Sequence, residues 1–145
     1  MVVASRALAL ASRTLASRAR ATCVLATLLL AACGGRVDNR SGDADLQLRW
    51  TLTPDPPRVG TGEIRVEISD VEWRPRNGAR VIITGIRDGV ELVVDTARGE
   101  GAGRYLAPDF SFEVAGGWIL RARVETPEGS WTQEDYSVEV VAGEG

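Results

Sequence analysis

The sequence predicts an all-β protein: a small immunoglobulin-like antiparallel β-sandwich of about seven strands after a helical signal peptide. Three observations predict it. From Asp45 onward the apolar side chains recur with a period of two, so each run has one face for a core and one for water. The runs are separated by turn chemistry, with Pro54-Asp55-Pro56-Pro57, Asn77-Gly78, Asp88-Gly89 and Pro127-Glu128-Gly129-Ser130. Finally, no stretch after Cys33 keeps a 3.6-residue apolar period over three turns.

The elements follow in order. Residues 1–20 are rich in Ala, Ser and Arg and contain no acid, and Ala21 to Ala32 run without a charge. A basic region followed by about 7–15 apolar residues is the pattern of a secretory signal. The run is short of the roughly 20 residues a transmembrane helix needs. It ends in Leu30-Ala31-Ala32-Cys33, which resembles a lipobox. That resemblance implies cleavage before Cys33 and acylation of the cysteine, hence a lipid bilayer as a partner. Two or more acyl chains anchor stably, at about 0.8 kcal/mol per buried CH₂. Two alternatives stay open: an ordinary cleaved signal with an incidental cysteine, and a mitochondrial transit peptide. Residues 33–44 are Gly-rich and polar and read as a flexible tether reaching on the order of 20 Å.

The domain is expected over residues 45–141. Its inward sets are Leu46, Leu48, Trp50 and Leu52; Ile64, Val66 and Ile68; Ala79, Val81 and Ile83; Val90, Leu92 and Val94; Phe110, Phe112 and Val114; Trp118, Leu120, Ala122 and Val124; and Tyr136, Val138 and Val140. Gly116-Gly117 reads as a tight turn, and Gly99 to Gly103 as a mobile hairpin loop.

Composition narrows the chemistry. Past residue 32, 13 arginines stand against 20 acids, a formal charge of −7, which argues against nucleic acid as a partner. There is no lysine and no histidine. Both cysteines, Cys23 and Cys33, precede the domain, so no disulfide staples it. Without histidine a nucleophilic triad lacks its base. The densest acidic spots are Asp43-x-Asp45, which lacks the oxygen-rich loop of a calcium hand, and Glu134-Asp135, which reads as a solvated edge. Arg121 and Arg123 read as a solvated sheet face, with Glu139 as a partner. No set of residues converges on catalysis, so the chain is read as a non-enzyme without a cofactor.

Three pieces resemble the YtkA-like domain, which is similar to the FixH family. They are Pro54-x-x-Pro57-x-x-Gly60 before a strand, Pro75-x-x-Gly78-Ala79-x-Val81, and Gly103-x-Tyr105 followed by Phe112 to Trp118. The resemblance spans roughly Asp45 to Val141 and implies an immunoglobulin-type sandwich. Some members of the family resemble copper-handling or oxidase-assembly accessory proteins. This chain departs from them, because after Cys33 it has neither His, Met nor Cys, the soft and borderline ligands copper and zinc require.

The functional expectation is a non-catalytic, lipid-anchored accessory or scaffold domain of the cell envelope that docks an envelope or membrane protein. Gly34 is not the aspartate that retains some lipoproteins at the inner membrane, which favours the outer membrane by analogy. The alternative is a binding module for a small ligand or polysaccharide; an indirect role in metal handling or respiratory-complex assembly ranks below both. Trp73 and Trp131, beside turns at strand ends, are the candidate partner-surface residues.

Overall fold

The computed structural model describes residues 35–143. The expected signal peptide (1–32) and Cys33 lie outside the described residues. The described part is all-β, with eight strands rather than seven: β1 (Arg36–Gly42), β2 (Leu46–Thr53), β3 (Gly60–Asp70), β4 (Arg80–Arg87), β5 (Val90–Gly101), β6 (Arg104–Phe112), β7 (Gly116–Glu125) and β8 (Trp131–Val140). All pairings between strands are antiparallel, in the order β1-β8-β7-β4-β5-β6-β3-β2.

One long strand turns this ribbon into a sandwich. The first part of β5, Val90 to Ala97, pairs with β4, and its end, Arg98 to Gly101, pairs with β6. The sheet therefore curls at β5 into two layers, β1-β8-β7-β4-β5 and β5-β6-β3-β2. Strands β4, β5 and β6 are joined by hairpins and β7 returns beside β4, a Greek-key connection.

The period-two pattern places the core between the layers. Ile64, Val66 and Ile68 of β3 and Phe110 and Phe112 of β6 face Val81 and Ile83 of β4 and Trp118, Leu120 and Val124 of β7. Trp118 meets Phe112 edge-on at 5.4 Å, and its Nε1 donates to the Val114 carbonyl at 3.0 Å. Gly85 makes room for these rings. A Cβ there would stand 3.0 Å from the Phe110 ring and 3.2 Å from that of Trp118, so this glycine marks a close approach inside a strand.

Several sequence expectations are corrected. The flexible tether expected over 33–44 is, from Arg36 to Gly42, an edge strand paired with β8. It looked like a linker because every residue of it is exposed, so no apolar face was needed. In β5 the expected inward set is inverted: Val90, Leu92 and Val94 are 56%, 42% and 61% exposed, while Ala97 is buried. A bulge opposite Gly85/Ile86 shifts the register there, and three successive apolar residues left the period ambiguous. Val114 lies beyond β6 and is exposed. Gly116, at φ 118°, opens β7 rather than forming a turn with Gly117. Most of Gly99 to Gly103 belongs to strands, around a tight turn at Ala102-Gly103.

Candidate functional site

The strand order leaves β1 and β2 as the two edges of the curled sheet, one in each layer. Where they meet, the sandwich is closed by polar and aromatic side chains instead of aliphatic ones. Glu134 is the hub. It sits in β8 in register with Thr132, Tyr136, Val138 and Val140 and points inward, with 0% of its surface exposed. Its Oε1 accepts from Trp50 Nε1 of β2 at 2.8 Å. Its Oε2 accepts from Arg40 of β1, from Nε at 3.0 Å and also from Nη2. Reading Glu134-Asp135 as a solvated edge is therefore wrong for both residues. Asp135, on the opposite face, is 8% exposed and takes both Arg121 donors, at 2.8 and 2.9 Å. Neighbouring acids in a strand do point to opposite faces, but here each face supplies an arginine. Arg121 thus finds Asp135, not Glu139, while Arg123 pairs with Glu125 at 3.0 Å.

Above Glu134 the Trp50 and Tyr136 rings stack, with centroids 5.1 Å apart and planes within 6°. The pair separates two recesses. One, of about 410 Å³, runs between Leu52, Pro56, Pro57 and Val138, with Asp55 and Glu139 among its lining residues. The other, of about 430 Å³, is lined by Val37, Leu48, Trp73 and Pro75. Burial holds the Tyr136 hydroxyl above its ordinary pKa, and the nearby Asp55 charge adds to the shift.

Trp73 reaches this groove from the turn after β3. Asp70 builds that turn: its Oδ1 accepts from the Glu72 N–H at 3.0 Å and the Arg74 N–H at 2.9 Å, and its Oδ2 accepts from Arg74 Nε at 2.8 Å. Trp73 N–H donates to the Asp70 carbonyl at 3.0 Å. The indole is 69% exposed on a residue with φ 64°, a backbone region that bulky side chains rarely adopt. Trp131, the other candidate, is placed elsewhere. It opens β8, half-buried, with the Arg123 guanidinium 4.6 Å from its ring centre. Trp73 thus joins Trp50 and Tyr136 around one groove, and Trp131 does not. Sequence reading counted Trp50 and Tyr136 as core and missed the stack. The signal was there, since Glu134 falls in the inward register of β8.

Several residues of segments 75–81 and 103–105 have structural work here. Tyr105 Oη donates to the Arg76 carbonyl at 2.9 Å and accepts from Ala79 N–H at 3.0 Å, and Asn77 Oδ1 accepts from Gly103 N–H at 2.8 Å. These bonds tie the β3–β4 connection to β6. Among the described residues no three of His, Cys, Asp or Glu are gathered as a metal site would need. The donors on offer, carboxylates and arginines, do not fit copper.

No protein-family model matches the chain, and no curated protein matches it. The chain is similar to an engineered protein of known structure, at 20% identity and a TM-score of 0.45. That match covers 68% of this chain and spans only 20% of the other. It is also similar to CopC from Methylosinus trichosporium OB3b, at 13% identity and a TM-score of 0.46, over 68% of this chain and 98% of CopC.

Proposed function

We propose that this protein is a non-catalytic, lipid-anchored accessory domain of the bacterial cell envelope, of the YtkA-like type, and that it docks an envelope or membrane protein through the groove that ends at Trp73. Acylated Cys33 would hold it to the bilayer, with the outer membrane favoured by Gly34. One observation carries the docking role: an indole 69% exposed on a turn fixed by five hydrogen bonds around Asp70. A non-glycine residue in this backbone region costs of order 1–3 kcal/mol. An already ordered aromatic side chain loses little freedom on docking, and aromatic residues are enriched at interface centres.

The test is a photo-crosslinking amino acid placed at position 73 or 96 of the full chain in its native host. The reading expects a discrete crosslinked partner from position 73 only, and its loss of co-purification with Trp73→Ala in a folded protein. Equal labelling from Thr96, an exposed site on β5, would refute it. A second reading, binding of a small ligand or polysaccharide, draws on the Trp50–Tyr136 stack and its two recesses. Under that reading, soluble glycans would perturb Trp50 fluorescence, and no protein would be captured.

A further inference from the structure

We infer that the end of the sandwich bearing the β4–β5 hairpin and the β6–β7 turn rests on the headgroup surface of the leaflet that anchors the protein. This rests on the reading of Cys33 as the acylated residue. The decisive observation is the replacement of an expected tether by β1. Gly35 lies against the Tyr136 ring, which a Cβ there would overlap. Arg36 is already in the ladder opposite Ser137. Only Gly34 separates Cys33 from Gly35, so the anchor's Cα is at most about 7 Å from that of Gly35. A domain rooted this closely has one end pressed to the bilayer.

The ladder says which end. Arg36 stands opposite Ser137, and Gly117 and Gly116 stand opposite Glu139 and Val140. Arg36, Gly89 and Gly117 line a single recess. Arg87 Nη1 donates to the Ala115 carbonyl at 2.5 Å, joining the β4–β5 hairpin to the β6–β7 turn. This rim carries exposed apolar side chains that the sandwich itself does not use: Val90 at 56%, Val114 at 44% and Ile119 at 37%. Arg36 at the root is already paired with Asp38 at 2.8 Å, so the apolar side chains, not a free cation, are what this rim offers. Such side chains suit the boundary between headgroups and acyl chains. The β7–β8 hairpin around Glu128 lies at the other end of β7, a strand of ten residues and so about 30 Å long.

The experiment uses the full chain, processed in its host and reconstituted into phosphatidylethanolamine–phosphatidylglycerol vesicles carrying a headgroup quencher. Once Cys33 is acylated, an introduced cysteine is the only free thiol, so Val114→Cys, Val90→Cys and Glu128→Cys can each take one fluorophore. Labels at 114 and 90 should lose most of their emission to the quencher, and the label at 128 almost none. A twelve-residue Gly/Ser insert between Gly34 and Gly35 should restore emission at 114. Equal quenching at 114 and 128, with the acyl mass on Cys33 confirmed by mass spectrometry, would overturn the orientation alone. Absence of that mass would overturn the anchor, and the orientation with it.

Discussion

Replacing Glu134 with alanine tests the polar closure of the sandwich edge. The carboxylate is wholly buried and accepts from Trp50 Nε1 at 2.8 Å and from Arg40 Nε at 3.0 Å. Removing it orphans the indole N–H, worth about 1–3 kcal/mol where water cannot replace the partner. Arg40 is 41% exposed along its side chain, so it turns to water and adds less than a buried partner would. Losing the buried methylene adds about 0.8 kcal/mol. The expected destabilisation is about 2–4 kcal/mol, a large share of the 5–15 kcal/mol typical of a domain. Glu134→Gln keeps an oxygen for Trp50 but turns an uncharged amide toward Arg40, and should cost about 1–2 kcal/mol. Urea unfolding at neutral pH measures both, and a cycle with Arg40→Ala isolates the pair. A loss below about 0.5 kcal/mol for Glu134→Ala, the range of ordinary surface changes, would show that Glu134 is solvated and that the closure is not as described.

Three further outcomes are expected. Gly85→Val should destabilise by about 1–3 kcal/mol through overpacking, because even a Cβ meets the Phe110 and Trp118 rings at 3.0–3.2 Å; a neutral melt would refute that packing. Burial raises the pKa of Asp70, but the Arg74 and Glu72 N–H groups and the Arg74 guanidinium outweigh it, and the net shift is downward. The turn's stabilisation is then complete above the ordinary carboxylate pKa and is lost as pH falls through the depressed folded value. The ¹⁹F signal of a fluorotryptophan at Trp73 should accordingly stay constant from pH 7 to about 4 and move only below it; movement near pH 6 would contradict this. Calorimetric titration of residues 35–145 with Cu(I) and Zn(II) should give no one-to-one site tighter than micromolar, since the chain past Cys33 offers no His, Met or Cys.

The fold was legible where strands bury one face cleanly. The inward residues of β3 and β7, which alternate cleanly, are those the period named, while in β6 the period named Phe110 and Phe112 but not the buried run Tyr105 to Ala107. It was illegible where burial stops controlling composition. β1 is exposed throughout and carries the polar, Gly-rich look of a linker, so only the ladder to β8 reveals it. Leu92-Val93-Val94 offer no alternation, and the bulge against β4 decides which of them turns out. Of the candidate site, Trp73 was marked by its place beside a turn. Glu134 was not, because a carboxylate at an inward position looks like an interruption until its partners, 84 and 94 residues away in sequence, come into view. Cys33 lies outside the described residues, and its reading still rests on the sequence.

The pairing of β1 with β8 has a consequence for how the chain is made. The two strands are separated by most of the domain, yet β8 lies between β1 and β7 and supplies Glu134 to both edges. During synthesis β1 emerges early and has nothing to pair with until residues 131–140 follow. Such remote contacts slow folding. Until β8 arrives β1 stays unpaired, while β2 to β7 can already pair among themselves. A chain truncated before β8 would lack the strand that closes it and leave β7 as a bare edge open to aggregation.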